Sequence, residues 1–201
     1  YLLGGRGRMC IRASGNPIGI KVGPTTQVAD LEQLLEILNP TDEAGRITLI
    51  SRMGAGKIHE FLPPLLQAVR KTGRTVTWLT DPMHGNTTST SSKVKTRSFD
   101  AIMDEVRGFF DVFAAEGLRP GGVHIEMTGQ DVTQCIGGAR KPTEHDLGSR
   151  AETFSHPRLN AEHSLDLAFL MAAEPTKRPQ GNEQSQAPAT PVLHNLRSRR
   201  S

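Results

Sequence analysis

The feature of this sequence that most constrains its fold is a fourfold alternation of short apolar runs with longer segments of helical periodicity. The apolar runs predict strands over residues 18–22, 47–50, 75–79 and 121–126. Apolar residues then recur every three or four positions, which predicts helices over 28–38, 58–71, 99–115 and 161–173. Such alternation requires right-handed parallel crossovers. It predicts an α/β protein whose parallel sheet is buried on both faces.

Prolines and polar stretches predict where these elements begin and where they are separated. Pro63 and Pro64 are expected in or near the first turn of the second helix, where a missing amide donor does least harm. The Ser- and Thr-rich residues 87–92 are predicted to form a loop, and residues 128–159 a long irregular stretch.

The basic character of the chain is concentrated at its carboxyl end. Residues 175–201 hold five basic residues and one acid, a charge of +4, whereas the whole chain carries +3, which leaves −1 for residues 1–174. The composition of this tail predicts disorder. A nearly neutral folded part offers no basic face for nucleic acid, and the spread-out tail charges would give only weak, salt-sensitive attraction. Nucleic acid is therefore not an expected partner.

The cysteine count and the hydropathy bear on the compartment. Cys10 and Cys135 are too few for a disulfide scaffold, and no Cys-x-x-Cys pair indicates a structural zinc site. No apolar run approaches the roughly 18 residues that span a bilayer, and the amino terminus has no apolar signal core. These features predict a cytoplasmic protein without a membrane partner. The chain begins with Tyr1 instead of Met, which indicates a partial gene product.

Four chemically competent side chains follow the four predicted strands. Lys21, Arg52, His84 and Glu126 lie at or just beyond successive strand ends, and the carboxyl ends of parallel strands share one face. Lysine and arginine suit a phosphate or carboxylate, whereas histidine with glutamate suits manganese, iron, cobalt or zinc. Taken singly, Lys21 can also be an edge residue and His84 a turn residue. Their coincidence favours an anion and metal site.

A Gly-rich string before the second helix is not a phosphate-binding loop. In Gly54-Ala-Gly-Lys57, Ser51 stands where the first glycine of that motif belongs and Ile58 where its Ser or Thr belongs.

Six strings occur in order and with regular spacing between residues 16 and 160. They are Asn16-Pro-Ile-Gly-Ile-Lys-Val-Gly-Pro24, Ile50-Ser-Arg-Met-Gly54, Asp81-Pro-Met-His-Gly-Asn-Thr87, Lys95-Thr-Arg-Ser-Phe-Asp100, Gly121-Gly-Val-His-Ile-Glu-Met-Thr-Gly129 and Pro157-Arg-Leu-Asn160. Together they resemble the class II (plant-type) 3-deoxy-D-arabino-heptulosonate 7-phosphate (DAHP) synthases.

The resemblance implies a fold, a reaction and roles for the site residues. The family is a (β/α)8 barrel that condenses phosphoenolpyruvate with erythrose 4-phosphate in the first step of the shikimate pathway. Lys21 and Arg52 resemble the catalytic residues that hold phosphoenolpyruvate, and His84 and Glu126 resemble two ligands of a divalent metal. Mn²⁺ is the ion we expect first, with Co²⁺, Fe²⁺ or Zn²⁺ as alternatives. His156 stands where the family has its aspartate ligand, which removes one negative charge from the ligand set.

The resemblance covers the last four of eight β/α units. It divides the chain into an unmatched segment (1–15), the carboxyl-terminal half of a barrel (16–174) and the disordered tail (175–201). The family's cysteine ligand, its Lys-Pro-Arg segment and its Glu-Arg pair have no counterpart here. A half barrel leaves two open sheet edges and an uncovered inner face, which favours a homo-oligomer.

Two interpretations of this half barrel remain open. The first is a DAHP synthase whose activity is impaired in this truncated chain. The second is a catalytically inactive half barrel that acts as an assembly or regulatory partner, or a degenerate gene product.

Overall fold

A computed structural model describes residues 15–138, 142–144, 146–147 and 156–173. The expectations for the amino-terminal segment and for the basic tail fall on residues 1–14 and 174–201, outside the described residues. The described elements, in chain order, are β1 (Ile18–Val22), α1 (Val28–Leu38), β2 (Ile47–Ser51), α2 (Ile58–Thr72), β3 (Thr77–Thr80), a 3-10 turn (His84–Asn86), β4 (Thr87–Ser89), β5 (Lys95–Arg97), α3 (Phe99–Ala115), β6 (Gly122–Val123) and α4 (Ala161–Ala173).

Four of the strands form one parallel sheet in the order β1-β2-β3-β6. All three pairings are parallel, with Lys21 opposite Ile50 and Ser51 opposite Thr80. The predicted α/β fold with a parallel sheet is confirmed. Successive strands of this sheet lie side by side, so every crossover advances in the same direction across the sheet. Right-handed crossovers of this kind place successive helices on the same face.

The core lies between that face and the helices. Val22, Ile47, Leu49 and Trp78 of the strands pack with apolar residues of α1, α2 and α3. A second core, which includes Phe99, Ile102 and Leu167, lies between α3 and α4. Each helix contacts the next along the chain.

The expectation that the sheet is buried on both faces is wrong at the edge strand β1 and at the start of β3, although Ile50 of the central strand is buried on that same face. Gly19 and Lys21 of β1 and Thr77 of β3 alternate with the core residues of their strands and are exposed. The reason is the strand order, because crossovers that all advance one way leave the opposite face without helices.

Some elements differ from the sequence prediction. Helix α2 begins at Ile58 as predicted, but Pro63 and Pro64 lie more than one turn inside it, beyond the first turn where they were expected. Fully buried Ile58 and Leu62 anchor the turn that precedes the prolines. Part of the predicted loop at 87–92 is the strand β4, paired antiparallel with β5.

Strand β6 is shorter than predicted and ends at Val123. Val123 pairs with Thr80, the last residue of β3, after which Pro82 has no amide hydrogen to offer a neighbouring strand. Glu126 therefore lies beyond the regular strand. In the part of the chain that the structure describes, no helix has the length and apolar character that a bilayer crossing requires.

Two glycines let the loop after β2 touch the 3-10 turn. A Cβ on Gly85 would lie 2.5 Å from the backbone nitrogen of Gly54, and Gly54 itself has a positive φ of 87°. Only glycine tolerates both constraints. The segments that follow β2 and β3 are thus packed backbone against backbone.

We expect Gly85→Ala to lower the free energy of unfolding by about 1–3 kcal/mol, because the added methyl group overpacks this contact. Gly56→Ala is the matched control, since a Cβ there meets no atom within 4 Å. Urea unfolding of both variants measures the difference. Equal stability of the two variants would show that the loops are not in contact.

Candidate functional site

The site lies at the carboxyl edge of the parallel sheet, where β1, β2 and β3 end side by side. Lys21 is the penultimate residue of β1. The backbone nitrogen of Arg52, directly after β2, donates to the carbonyl of Val22 at 2.8 Å, and that of Asp81, directly after β3, donates to Ser51 at 2.6 Å. Hydrogen bonds that continue the ladder therefore hold these residues at one edge.

Asp81 links the basic residue of β1 to the histidine of the 3-10 turn. Its side chain is fully buried, and its Oδ2 accepts a hydrogen bond from Nζ of Lys21. The same oxygen lies 2.7 Å from Nδ1 of His84. Oδ1 accepts from the backbone nitrogens of Met83 and His84 at 3.0 and 3.2 Å. One carboxylate thus fixes both the turn and the imidazole ring.

The surroundings of Asp81 keep its carboxyl group ionised. Burial alone would raise the pKa of Asp81, but the hydrogen bond from Lys21, the backbone N–H of His84 and the charges on Lys21 and His84 together lower that pKa below its usual value. An ionised Asp81 holds Nδ1 of His84, which leaves Nε2 of that ring for another contact.

Three side chains converge beyond Asp81 and could hold a metal ion. Ligand atoms of His84, Glu126 and His156 all lie within 4.8 Å of one another. Nε2 of His84 is 3.4 Å from Oε1 of Glu126, and the two imidazole rings are 5.6 Å apart between centroids. The set offers two nitrogens and one oxygen, which suits a divalent transition metal. A ligating histidine whose other nitrogen contacts a carboxylate is the usual arrangement in metal sites.

The structure therefore places the five candidates as follows. His84, Glu126 and His156 form one group, and Asp81 joins Lys21 to it. Arg52 lies at the same edge by its backbone bond to Val22, and its side chain is exposed. The roles assigned to these residues remain predictions.

Sequence reasoning missed two buried charged residues in addition to Asp81. Arg97 is fully buried, and its Nη1 donates to Oε2 of Glu126 at 2.7 Å. Glu105 of α3 is also fully buried and accepts from the backbone nitrogen of Met53 at 2.9 Å and from Nδ2 of Asn86 at 2.7 Å. It thereby ties the loop after β2 to the 3-10 turn.

Signals for these three residues were present in the sequence. Asp81 directly follows a strand and precedes a proline. Glu105 lies within the apolar stripe of its helix, between Ile102 and Phe109, where an acid needs a partner. Arg97 has the weakest signal, because its strand β5 was predicted as part of no element.

Comparison with known proteins identifies relatives of this chain. The model of the class-II DAHP synthetase family matches residues 9–172. The chain is 52% identical over 157 residues to the phospho-2-dehydro-3-deoxyheptonate aldolase AroG of Mycolicibacterium smegmatis, covering 78% of this chain and 34% of that protein. It is 54% identical over 157 residues to the phospho-2-dehydro-3-deoxyheptonate aldolase of Streptomyces coelicolor, covering 78% of this chain and 35% of that protein. The chain thus spans about a third of the length of these relatives.

Glu105 predicts a specific pH dependence of stability. Burial raises its pKa from 4.5 to about 7, so the folded state binds this proton more tightly than the unfolded state does. Its contribution to stability is fully present below about pH 4.5 and is lost as the pH rises through about 7. The slope is at most about 1.4 kcal/mol per pH unit.

Glu105→Gln removes this titration, so we expect the unfolding free energy of the wild type, relative to the variant, to fall over that pH range. Urea unfolding at several pH values measures it, with exposed Glu60→Gln as the control. Parallel pH profiles for wild type and Glu105→Gln would contradict the raised pKa.

Proposed function

The chain belongs to the class-II DAHP synthetase family, and from that membership we propose that it carries part of the active site of a 3-deoxy-7-phosphoheptulonate synthase. The reaction joins phosphoenolpyruvate, erythrose 4-phosphate and water to give DAHP and phosphate, the first step of the shikimate pathway toward chorismate and the aromatic amino acids. The observation that carries the proposal is the convergence of His84, Glu126 and His156, with Lys21 joined to them through Asp81.

His84, Glu126 and His156 would hold a divalent metal ion, for which we propose Mn²⁺ first and Co²⁺, Fe²⁺ or Zn²⁺ as alternatives. When bound, the ion supplies a Lewis acid that polarises the aldehyde of erythrose 4-phosphate. The chain's own contribution is orientation. Asp81 fixes the ring of His84, and Arg97 engages one oxygen of Glu126 so that the other faces His84. His156 would offer a ring nitrogen where the family's aspartate would offer a carboxylate oxygen.

Lys21 and Arg52 would bind phosphoenolpyruvate through its phosphate and carboxylate. The Lys21 ammonium is partly exposed and is held at the sheet edge by its ion pair with Asp81. Arg52 offers an exposed guanidinium, whose fork of donors matches a phosphate or carboxylate. Both charges are in place before water adds to the phosphate-bearing carbon and phosphate leaves, so they stabilise the negative charge that develops there.

Residues 16–174 would form four of the eight β/α units of a barrel. The consecutive strand order and the exposed face of β1 support this proposal, because further units added at either edge would continue the sheet and enclose Lys21. The share of the relatives that the chain spans also supports it. We accordingly propose impaired activity for this chain alone, self-association through the open edges, and a cytoplasmic location.

The metal site predicts a binding experiment. We expect Mn²⁺ to bind the chain and His84→Ala to weaken binding by more than about tenfold, since a ligand matters at least as much as its supporting residues. His59→Ala on the exposed face of α2 is the control. His156→Asp should tighten binding because it restores a negative charge. Isothermal titration calorimetry measures all four proteins, and equal affinity of His84→Ala and wild type would exclude this site.

The proposed anion site predicts a second binding experiment. Lys21→Gln should lower the affinity for phosphoenolpyruvate by about tenfold or more, because it removes a charge-assisted hydrogen bond. The exposed Lys57→Gln is the matched control. Calorimetric titration with phosphoenolpyruvate measures binding, and phosphate release measures turnover. An affinity for phosphoenolpyruvate that is unchanged by Lys21→Gln would place the anion site elsewhere.

A further inference from the structure

We infer that Arg97 is a positioning residue that preassembles the His84, Glu126 and His156 group by fixing the three segments that carry it. The inference rests on the metal site of the proposed function. It goes beyond that function because it assigns a role to a residue that would touch neither ion nor substrate.

The side chain of Arg97 contacts all three segments. Its Nε donates to Oγ1 of Thr87 at 3.0 Å, and Thr87 directly follows the 3-10 turn that holds His84. Its Nη1 donates to Oε2 of Glu126 at 2.7 Å and also to the carbonyl of Pro157, the residue after His156. A single guanidinium therefore ties together segments that are far apart in the sequence.

The contact with Glu126 determines which oxygen faces the other ligands. Arg97 engages Oε2, while Oε1 lies 3.4 Å from Nε2 of His84. With one oxygen engaged by a buried cation, Glu126 presents the other to the group.

Lysine could not make this arrangement. Its three acceptors are served by two nitrogens, Nε and Nη1, which a planar guanidinium holds in a fixed geometry and which the single nitrogen of an ammonium cannot replace. The Nη2 of Arg97 is buried and has no hydrogen-bond partner among the described residues. An unpaired buried donor costs stability.

The backbone of Arg97 is itself anchored. Its carbonyl accepts from the nitrogen of Ile136 at 2.9 Å, and its neighbour Thr96 is buried and donates to the carbonyl of Gln134 at 2.9 Å. Strand β5 is thus held by hydrogen bonds to residues 134 and 136, which supports the backbone from which the Arg97 side chain extends.

Two variants test the inference in the full chain. Arg97→Lys keeps the charge and loses the fork. Thr87→Val, in an exposed strand, removes the acceptor of Nε and also the hydrogen bond that Oγ1 of Thr87 donates to the carbonyl of Met83 at 3.2 Å. Arg107→Lys, whose arginine is exposed and paired with Asp104, and Thr88→Val, at the exposed next position, are the matched controls. The readouts are Mn²⁺ affinity by calorimetry, the visible absorption of bound Co²⁺, and thermal unfolding without metal.

We expect Arg97→Lys to weaken Mn²⁺ binding by about 10–100-fold and Thr87→Val by roughly two- to tenfold, with both controls close to wild type. The Co²⁺ spectrum of Arg97→Lys should change, because the released Oε2 alters the ligand geometry. A residue with only a structural role would change unfolding and leave the affinity and spectrum of the folded protein unaltered.

An unchanged Mn²⁺ affinity and an unchanged Co²⁺ spectrum in folded Arg97→Lys would overturn the inference. If Arg97→Lys does not fold, an unchanged Mn²⁺ affinity and Co²⁺ spectrum in Thr87→Val would overturn it instead. If the wild type binds Mn²⁺ and both variants bind it equally well, the role of Arg97 is refuted but the proposed metal site is not. Absence of Mn²⁺ binding by the wild type overturns the metal site of the proposed function and the role of Arg97 with it.

Discussion

A single buried carboxylate, that of Asp81, organises the carboxyl edge of this sheet. Its Oδ2 contacts both the ammonium of Lys21 and the imidazole of His84, and its Oδ1 holds the backbone of the turn that carries His84. The residue proposed to bind an anion and the first residue proposed to bind a metal thus share one anchor. Because the side chain is fully buried, these contacts are shielded from water and are stronger than they would be at the surface.

The charges around this anchor alternate. Lys21 is paired with Asp81, and Glu126 with Arg97, so each acid at the edge already has a cationic partner. The four charges cancel, and Arg52 adds an exposed positive charge beside them. With His156 offering a ring nitrogen in place of a carboxylate, a bound divalent ion would make the edge strongly positive. Such an edge would attract phosphorylated substrates but would hold its ion less tightly than a site with a second acid.

The sequence predicted the parts of this arrangement that follow from local patterns. Strand ends could be read from apolar runs, and parallel strands bring their ends to one edge, so Lys21, Arg52, His84 and Glu126 could be named in advance. Long-range partnerships could not be read this way, because Arg97 meets Glu126 and Glu105 meets Met53 only after the chain has folded. The open face of the sheet depends on strand order, which alternation alone does not specify; only the resemblance to half of a barrel implied it.

We propose that His84, Glu126 and His156 form a metal site that is joined to Lys21 through Asp81. A crystal of the chain grown with Mn²⁺ and measured at the manganese absorption edge would show whether the ion binds there. We expect one strong anomalous peak within bonding distance of Nε2 of His84, Oε1 of Glu126 and a ring nitrogen of His156, with the ion pair between Lys21 and Asp81 retained. A fully occupied manganese peak elsewhere, with these three side chains unliganded, would contradict it.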